Sequence, residues 1–148
     1  MYKRILVPLD GSPLAEAALA HAQLLAQCFD GAIVLLRAVV SSYTIAAPDL
    51  VLAGQGVDQE VLQQQAEQYL QTQAGKLTAQ DIAVRTVVCT GPVAEAILDH
   101  ARSLAVDVIV MSTHGRGGVS RWVYGSVADR VLQAAPCPVL LIRAGAGR

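Results

Sequence analysis

Short apolar runs alternate along the chain with longer segments that mix apolar and polar residues. Five of these runs are rich in Val, Ile and Leu and are nearly continuous, as expected of strands that are buried on both faces of a parallel sheet. We predict β-strands at residues 5–9, 32–40, 83–89, 106–111 and 139–142.

Between these runs, apolar residues recur at the three- and four-residue spacing of amphipathic helices. On one face of the first helix, this spacing places Leu14, Ala18, His21, Leu25 and Cys28. On one face of the third helix it places Val93, Ile97, Ala101 and Leu104, and on one face of the last Val127, Val131, Leu132 and Ala135. We therefore expect each of these helices to pack one face against the sheet.

The remaining segments carry weaker signals. Residues 57–76 are polar and rich in glutamine, which predicts a surface helix. Its thin apolar side consists of Val61, Leu62, Tyr69 and Leu70. Ser12 before Pro13 predicts the start of the first helix, because the hydroxyl can accept from a free backbone N–H and proline needs no donor there. For residues 41–56 we expect a mobile flap near the carboxyl edge of the sheet, with a short helix as the alternative.

Strand and helix thus alternate five times, which is the pattern of an open, mostly parallel sheet with helices on both faces. We predict a single α/β domain over residues 1–148, with five strands in the order 3-2-1-4-5. In this order the first and fourth strands are adjacent, and their connections leave to opposite faces. Ligands bind at such a junction, outside the carboxyl ends of the strands.

The densest concentration of chemistry follows the fourth strand, between Met111 and Ser126. Glycines in this stretch let backbone N–H groups converge, and a helix that starts near Ser126 adds unsatisfied donors and the positive end of its dipole. Phosphate fits such a loop, and the alternative is a flexible glycine loop with no ligand. The stretch matches neither a P-loop nor the dinucleotide-binding G-x-G-x-x-G fingerprint.

Three motifs together resemble the universal stress protein family: PLDGS at residues 8–12, THGRG at 113–117 and GSVADRV at 125–131. The resemblance covers the whole chain, including APCPVL at 135–140. In the nucleotide-binding branch of that family, the loop reads Gly, two residues, Gly, nine residues, then Gly-Ser or Gly-Thr. Here Gly115 is the second glycine and Gly125 opens the closing pair, whereas Ser112 replaces the first glycine and adds a hydroxyl beside the expected ribose.

The resemblance implies an adenine-nucleotide site that takes ATP, with ADP or AMP as alternatives and Mg²⁺ held mainly by the phosphates. The backbone near Ala38 would meet the adenine edge and Asp10 the ribose hydroxyls; the alternative for Asp10 is a turn-forming aspartate that caps the first helix. The residues implied for the site are Pro8, Leu9, Asp10, Ala38, Met111, Ser112, Gly115, Arg116, Gly117, Gly125, Ser126 and Val127. Those that would cradle the phosphates are Gly115, Gly117, Gly125, Ser126 and Val127.

Composition restricts the partners. Charged residues make up 16% of the chain and apolar residues 53%, which implies a buried partner surface. The net charge is −1 and the basic residues are scattered, so we expect no nucleic-acid binding. No apolar stretch approaches the roughly 18 residues that cross a bilayer, and no leader precedes the first strand, so we expect a cytoplasmic protein with no membrane partner.

Cysteine and histidine give no sign of catalysis. The three cysteines, Cys28, Cys89 and Cys137, are widely spaced, which predicts buried free thiols. His114 has no second histidine, cysteine or carboxylate near it in sequence, and we expect it to make a loop-stabilising hydrogen bond. We expect structural roles for His21 and His100.

The last strand, from Val139 to Ile142, lies at the outside of the predicted sheet and carries no charge or proline. Two copies related by a two-fold axis would satisfy both edges, and the family resemblance implies the same, so we predict a homodimer through this strand. We expect a nucleotide-responsive stress or regulatory module. The alternatives are a structural dimer that has lost nucleotide binding, and a slow ATP hydrolase, for which the chain offers no P-loop lysine or paired acidic metal site.

Overall fold

The computed structural model describes residues 1–40, 58–113 and 125–143. Its strands are β1 (Arg4–Pro8), β2 (Ala32–Val39), β3 (Ala83–Thr90), β4 (Val108–Thr113) and β5 (Val139–Arg143). Its helices are α1 (Pro13–Phe29), α2 (Gln59–Thr78), α3 (Val93–Ser103) and α4 (Ser126–Ala134). The segment at residues 41–56, for which we expected a flap or a short helix, lies outside the described residues.

The five strands form one parallel sheet in the order β3-β2-β1-β4-β5. The predicted fold class, an open α/β sheet with this order and helices on both faces, is therefore confirmed. The order reverses between β1 and β4, because the chain moves outward through β2 and β3 and then returns to the other side of β1. Ligand sites of open α/β sheets lie at such a reversal.

Alternate residues of the central strands pack on opposite faces of the sheet, as the pleat of a strand requires. On β1, Ile5 and Val7 belong to the cluster formed with α1 and α2, whereas Leu6 belongs to the cluster formed with α3 and α4. Ile5, Leu6 and Val7 are all fully buried. Burial on both faces explains why the run is continuously apolar rather than alternating.

Helix α1 begins as predicted but buries a different face. The Ser12 hydroxyl accepts a hydrogen bond from the Ala15 N–H at 3.1 Å and so caps the helix. The residues that it buries are Ala15, Ala18, Ala22 and Ala26. The predicted face was wrong at His21 and Cys28, which are exposed. Alanine lets the helix approach the sheet closely, and close packing rather than side-chain size determines which face is buried.

Other predicted apolar positions also need correction. On the surface helix α2, Val61 is 42% exposed, and on α4, Leu132 is 39% exposed. The residues that α2 buries are Ala66, Leu70, Gln73, Ala74 and Leu77. Within the described residues, no helix combines the length and the apolar character needed to cross a membrane.

The cysteines divide into two kinds. Cys28 is exposed, which contradicts the prediction of three buried thiols, whereas Cys89 and Cys137 are half-buried. Burial raises the pKa of both the Cys89 and the Cys137 thiol. The two half-buried thiols pack against the cluster beneath α3 and α4, as small apolar side chains do.

Candidate functional site

Strands β1 and β4 are paired over a shorter length than their neighbours. Their register has two residue pairs, Ile5 with Val108 and Leu6 with Ile109, whereas β1 and β2 share five. Strand β1 continues to follow β2, since the Leu9 N–H donates to the Leu36 carbonyl at 2.8 Å. A crevice therefore opens at the carboxyl end of the sheet between β1 and β4.

A cavity of about 470 Å³ occupies this position. Its size lies in the range of pockets that hold small organic ligands. Nine of the residues implied by the sequence line it: Pro8, Leu9, Asp10, Ala38, Met111, Ser112, Gly125, Ser126 and Val127. The structure thus brings together residues that are separated by more than a hundred positions in the chain.

Of the residues that the structure describes, five more line the cavity: Ala15, Leu36, Val93, Ile97 and Ala128. Sequence analysis did not assign them to the site. Leu36 precedes Ala38 by two positions, and residues at this spacing lie on the same face of a strand. Val93 and Ile97 were recognised as one apolar stripe of α3, which the structure uses partly as core and partly as cavity wall.

Most of the cavity wall is apolar. Leu36 and Met111 come from the strands, and Ile97 comes from α3. Leu36 and Ile97 are fully buried, so they present a dry surface that suits a flat, weakly polar ring. Among the described residues that line the cavity, the polar side chains lie at the strand ends and at the start of α4, at Asp10, Ser112 and Ser126.

Asp10 shapes the loop between β1 and α1. Its Oδ1 accepts a hydrogen bond from the Ser12 N–H at 2.8 Å, which closes a tight turn around Gly11. Gly11 has a φ of 88°, which is favourable for glycine and strained for other residues. The turn that the sequence offered as an alternative role for Asp10 is therefore present, and the same side chain lines the cavity.

The first turn of α4 supplies backbone donors at the cavity. Gly125 precedes the helix with a φ of 27°, and the Asp129 N–H makes the first helical hydrogen bond, to the Gly125 carbonyl at 3.0 Å. The N–H groups of the residues between them precede that bond and have no partner within the helix. Ser126 and Val127 are among these residues and line the cavity, so the positive end of the helix borders it.

An ion pair joins the two helices that wall the cavity. Arg130 on α4 donates through Nε to Glu95 on α3 at 2.9 Å. Both side chains are about half exposed, so the pair contributes little to stability. It joins α3 and α4 on one side of the crevice.

His114, Gly115, Arg116 and Gly117 lie outside the described residues. His100 holds its Nδ1 2.8 Å from the Ala96 carbonyl within α3, which is a structural contact. Among the described residues, no group of three or more His, Cys, Asp or Glu side chains is placed to hold a metal ion.

A polar cluster on the opposite face of β2 was not recognised from the sequence. Arg37 places its guanidinium carbon 5.0 Å from the centre of the Tyr69 ring. The Tyr69 hydroxyl donates to Glu16 Oε1 at 2.9 Å, and Gln73 Nε2 donates to the same oxygen at 3.1 Å. Burial, and then the hydrogen bond to Glu16, raise the pKa of Tyr69 above its ordinary range. The only sequence signal for this cluster is an arginine within the apolar run of β2.

Comparison with known proteins gives a consistent result. The sequence model described as "Universal stress protein family" matches residues 1–143. A universal stress protein of Thermus aquaticus is 34% identical over 149 residues, covering 97% of this chain and 100% of that protein. Universal stress protein MJ0531 of Methanocaldococcus jannaschii is 31% identical over 146 residues, covering 97% of this chain and 83% of that protein.

Solved structures share the fold. The structure of MJ0577 from Methanocaldococcus jannaschii has a TM-score of 0.81 at 26% identity, covering 99% of each chain. A universal stress protein in complex with cAMP has a TM-score of 0.69 at 17% identity, covering 97% of this chain and 98% of that one. An Arabidopsis thaliana family protein with AMP bound has a TM-score of 0.67 at 18% identity, covering 97% and 93%. At these last two identities the likeness shows the fold alone.

Proposed function

Since this chain belongs to the universal stress protein family, we propose that it binds an adenine nucleotide, with ATP as the preferred ligand, in the cavity between β1 and β4. One observation carries the proposal. The cavity joins a dry apolar wall to a carboxylate at one strand end and to the donor end of a helix. A nucleotide presents a flat ring, a sugar with hydroxyls and an anionic chain, and each part matches one of these surfaces.

The base is assigned to the apolar part of the cavity. Leu36 and Ile97 are fully buried there and present an apolar surface to the ring. Ala38, at the carboxyl end of β2, is small and leaves its backbone accessible to the ring edge. Backbone groups at this position would read the adenine edge by hydrogen bonds, so the proposal needs no polar side chain there.

The ribose is assigned to the strand ends. Asp10 follows β1 and lines the cavity, and a carboxylate oxygen accepts hydrogen bonds from sugar hydroxyls. Ser112 lies on β4 across the crevice and offers a hydroxyl on the other side of the sugar. A carboxylate would repel a phosphate, so Asp10 contributes to sugar recognition rather than to the binding of the phosphates.

The phosphates are assigned to the start of α4. The N–H groups of the first helical turn and the positive end of the helix dipole attract an anion at Ser126 and Val127. Gly115, Arg116 and Gly117 would complete the phosphate cradle. Mg²⁺ fits as an ion held by the phosphates and water, because the described residues supply no cluster of ligands for it.

We propose a binding role in preference to rapid catalysis. Fast phosphoryl transfer needs a group that neutralises charge on the transferred phosphate and one that positions the nucleophile. Among the described residues that line the cavity, Asp10 is the one with an ionisable side chain, and it makes the turn with Ser12. ADP and AMP remain alternative ligands, since apolar base recognition does not depend on the number of phosphates.

We also propose a homodimer through β5. This strand is at the outside of the sheet, and Leu140 is 38% exposed on it. The opposite outer strand, β3, carries Arg85 and Thr86 within its length, whereas β5 is apolar from Val139 to Ile142. An apolar edge strand favours pairing with a second copy. Sedimentation velocity at micromolar concentration tests this, and a monomer with and without ATP would refute it.

Nucleotide binding is tested with two valine variants. A folded Gly125→Val protein should lose at least about tenfold in ATP affinity by calorimetry, because the side chain blocks approach to the helix start and strains a residue with positive φ. Gly75→Val is the matched control, since a Cβ at Gly75 on α2 meets no atom within 4 Å. Mass spectrometry of ligand released by heating the purified protein identifies the nucleotide. Equal ATP affinity of Gly125→Val and the parent would show that the site is misplaced.

A structural dimer without a ligand is the second candidate. The replacement of the first loop glycine by Ser112 favours it, because the hydroxyl narrows the space beside β4. Under this alternative, no adenine nucleotide is released on heating and none binds in calorimetry. A Ser112→Gly variant that gains ATP binding absent from the parent would then identify the cause.

A further inference from the structure

Arg37 lies on β2 between two residues that line the cavity, Leu36 and Ala38. Successive side chains of a strand point to opposite faces, so the Arg37 side chain leaves the sheet on the face covered by α1 and α2. Arg37 is half-buried and is not part of the cavity wall. A charged side chain in this position of an otherwise apolar strand requires a specific reason.

The guanidinium of Arg37 packs against the loop that carries Asp10. A Cβ added at Gly11 would lie 3.2 Å from Arg37 Nη1 and 3.4 Å from both Cζ and Nη2. Three atoms of the planar group are therefore nearly equidistant from this Cβ position, so the flat face of the guanidinium is turned towards Gly11. Any residue larger than glycine would push this plane away, in addition to the strain of a φ of 88°.

The same guanidinium is held in place by α2. Its central carbon is 5.0 Å from the centre of the Tyr69 ring, a distance at which a cation is attracted to an aromatic face. The ring is fixed in turn, because the Tyr69 hydroxyl donates to Glu16 at 2.9 Å and the 5% exposed Gln73 donates to the same carboxylate at 3.1 Å. Arg37 thus connects the loop to a group of side chains whose hydrogen bonds restrict one another.

We propose that Arg37 is a positioning residue of the nucleotide site: its planar guanidinium, supported by Tyr69, holds the turn of Asp10, Gly11 and Ser12 so that Asp10 stays at the cavity. This inference rests on the proposed nucleotide binding. A hydrogen bond of 2.8 Å from the Ser12 N–H to Asp10 closes the turn around Gly11, and glycine permits many backbone conformations. Fixing the turn in advance reduces the entropy lost when a sugar binds to Asp10.

The positioning role predicts a particular pattern of affinities. Arg37→Met should lower ATP affinity about tenfold and leave the affinity for inorganic triphosphate within about twofold, because the turn serves the sugar. Arg37→Lys should resemble Arg37→Met, since lysine keeps the charge but lacks the flat face that supports Gly11. If the charge itself attracted the phosphates, lysine would restore ATP binding and methionine would weaken triphosphate binding, and the proposal would be wrong.

A double-mutant cycle tests whether Arg37 acts through Asp10. Adding Arg37→Met to Asp10→Ala should cause no further loss of ATP affinity, because the group that the guanidinium positions has been removed. Independent, multiplying losses in the double variant would overturn the proposal. Arg85→Met is the matched control: Arg85 is an exposed arginine on the neighbouring strand, paired in register with Val34 near the amino end of the sheet.

Amide hydrogen exchange of the unliganded protein separates this inference from the proposed function. In Arg37→Met, the Ser12 amide, which donates to Asp10, should exchange at least about tenfold faster than in the parent, while the amides of β1 and β4 keep their rates. If the parent binds ATP and the Ser12 amide exchanges equally fast in Arg37→Met and in the parent, the positioning role of Arg37 is wrong and the proposed function stands. A parent that binds no adenine nucleotide overturns the proposed function, and the positioning role with it.

Discussion

The two faces of the sheet differ most at its carboxyl edge. On the face of α3 and α4, apolar side chains surround an open cavity of about 470 Å³. On the face of α1 and α2, Arg37, Tyr69, Glu16 and Gln73 form a polar cluster, in which Tyr69 and Gln73 donate to Glu16 and Arg37 contacts the Tyr69 ring. Strand β2 contributes to both faces through consecutive residues. One strand therefore lines the cavity on one face of the sheet and supports the polar cluster on the other.

The difference follows from how the helices enter each face. Helix α1 starts at Pro13, close behind β1, and its buried residues are alanines that bring it near the sheet. Helix α4 starts at Ser126 after Gly125, which offers no side-chain cap, and the pairing of β4 with β1 ends at Ile109, before the helix begins. Tight packing is therefore expected on the first face and incomplete packing on the second.

Truncating one buried side chain on each face tests this difference in packing and should have the largest effect on stability. Leu70→Ala on α2 removes a fully buried side chain from the face covered by α1 and α2, which we call the closed face. It should lower the free energy of unfolding by about 2–5 kcal/mol. Ile97→Ala on α3 should cost less, near the lower end of that range, because Ile97 lines the cavity and its truncation enlarges an existing space instead of opening a new one. Urea unfolding of both variants measures the two losses, and a larger loss for Ile97→Ala would mean that the cavity face is as densely packed as the other.

Enlarging one alanine on each face tests the same difference in packing and should have an intermediate effect on stability. Ala18→Leu places a larger side chain at a position that is 0% exposed on the closed face, and overpacking should destabilise the protein by about 1–3 kcal/mol. Ala38→Leu has the cavity to occupy and should cost less than about 1 kcal/mol. Thermal and urea unfolding compare the two. Equal destabilisation would show that the space beside Ala38 is not available to a side chain.

Removing one hydroxyl gives the smallest effect and a dependence on pH. Tyr69→Phe keeps the ring beneath Arg37 but loses the hydrogen bond to Glu16, which should cost about 0.5–1.5 kcal/mol at about pH 8. Because burial raises the pKa of Tyr69 above its ordinary value of 10.0, the hydroxyl stabilises the fold fully below that value. Above it, the unfolded tyrosine ionises first, and the stabilisation is lost as pH rises towards the folded pKa.

The measurement is therefore a difference between two proteins at two pH values. Urea unfolding of the parent and of Tyr69→Phe should show a smaller advantage of the parent at about pH 11 than at about pH 8, since all other titrating groups are common to both. An advantage that grows with pH would mean that the folded protein holds the Tyr69 phenolate rather than the phenol. The cluster on the closed face would then need a different charge assignment.

The sheet was predictable from the sequence because burial on both faces forces continuous apolar runs, and β1 and β2 carry such runs. Strand bounds differ from the prediction by one or two residues. The buried face of α1 was not predictable from side-chain size, because Leu24 is 58% exposed while Ala18 and Ala22 are fully buried. Close helix-to-sheet packing selects small residues, and a pattern based on large apolar residues misses them.

The cavity and the closed face also differ in how far the sequence predicts them. Positions such as Asp10 and Ser126 follow from the general rule that the ends of parallel strands and the starts of the next helices meet at one edge. The cluster around Arg37 depends instead on pairs such as Tyr69 and Glu16, which are 53 positions apart and carry no spacing signal. Contacts between α1 and α2 depend on how the two helices pack against each other, and local sequence does not encode that geometry.

The short pairing of β1 with β4 has a consequence for how long the protein survives. This pairing joins two halves of the sheet that come from different parts of the chain. Strands β1, β2 and β3 are built from residues before 91, and β4 and β5 from residues after 92. A ligand held between Asp10 and Ser126 bridges these two parts and adds its binding energy to the fold, about 2.7 kcal/mol at a concentration one hundred times its dissociation constant. Proteases degrade the unfolded fraction, and shifts of about 1–2 kcal/mol change steady-state abundance severalfold. The amount of this protein would then follow ligand concentration through turnover alone, with synthesis held constant.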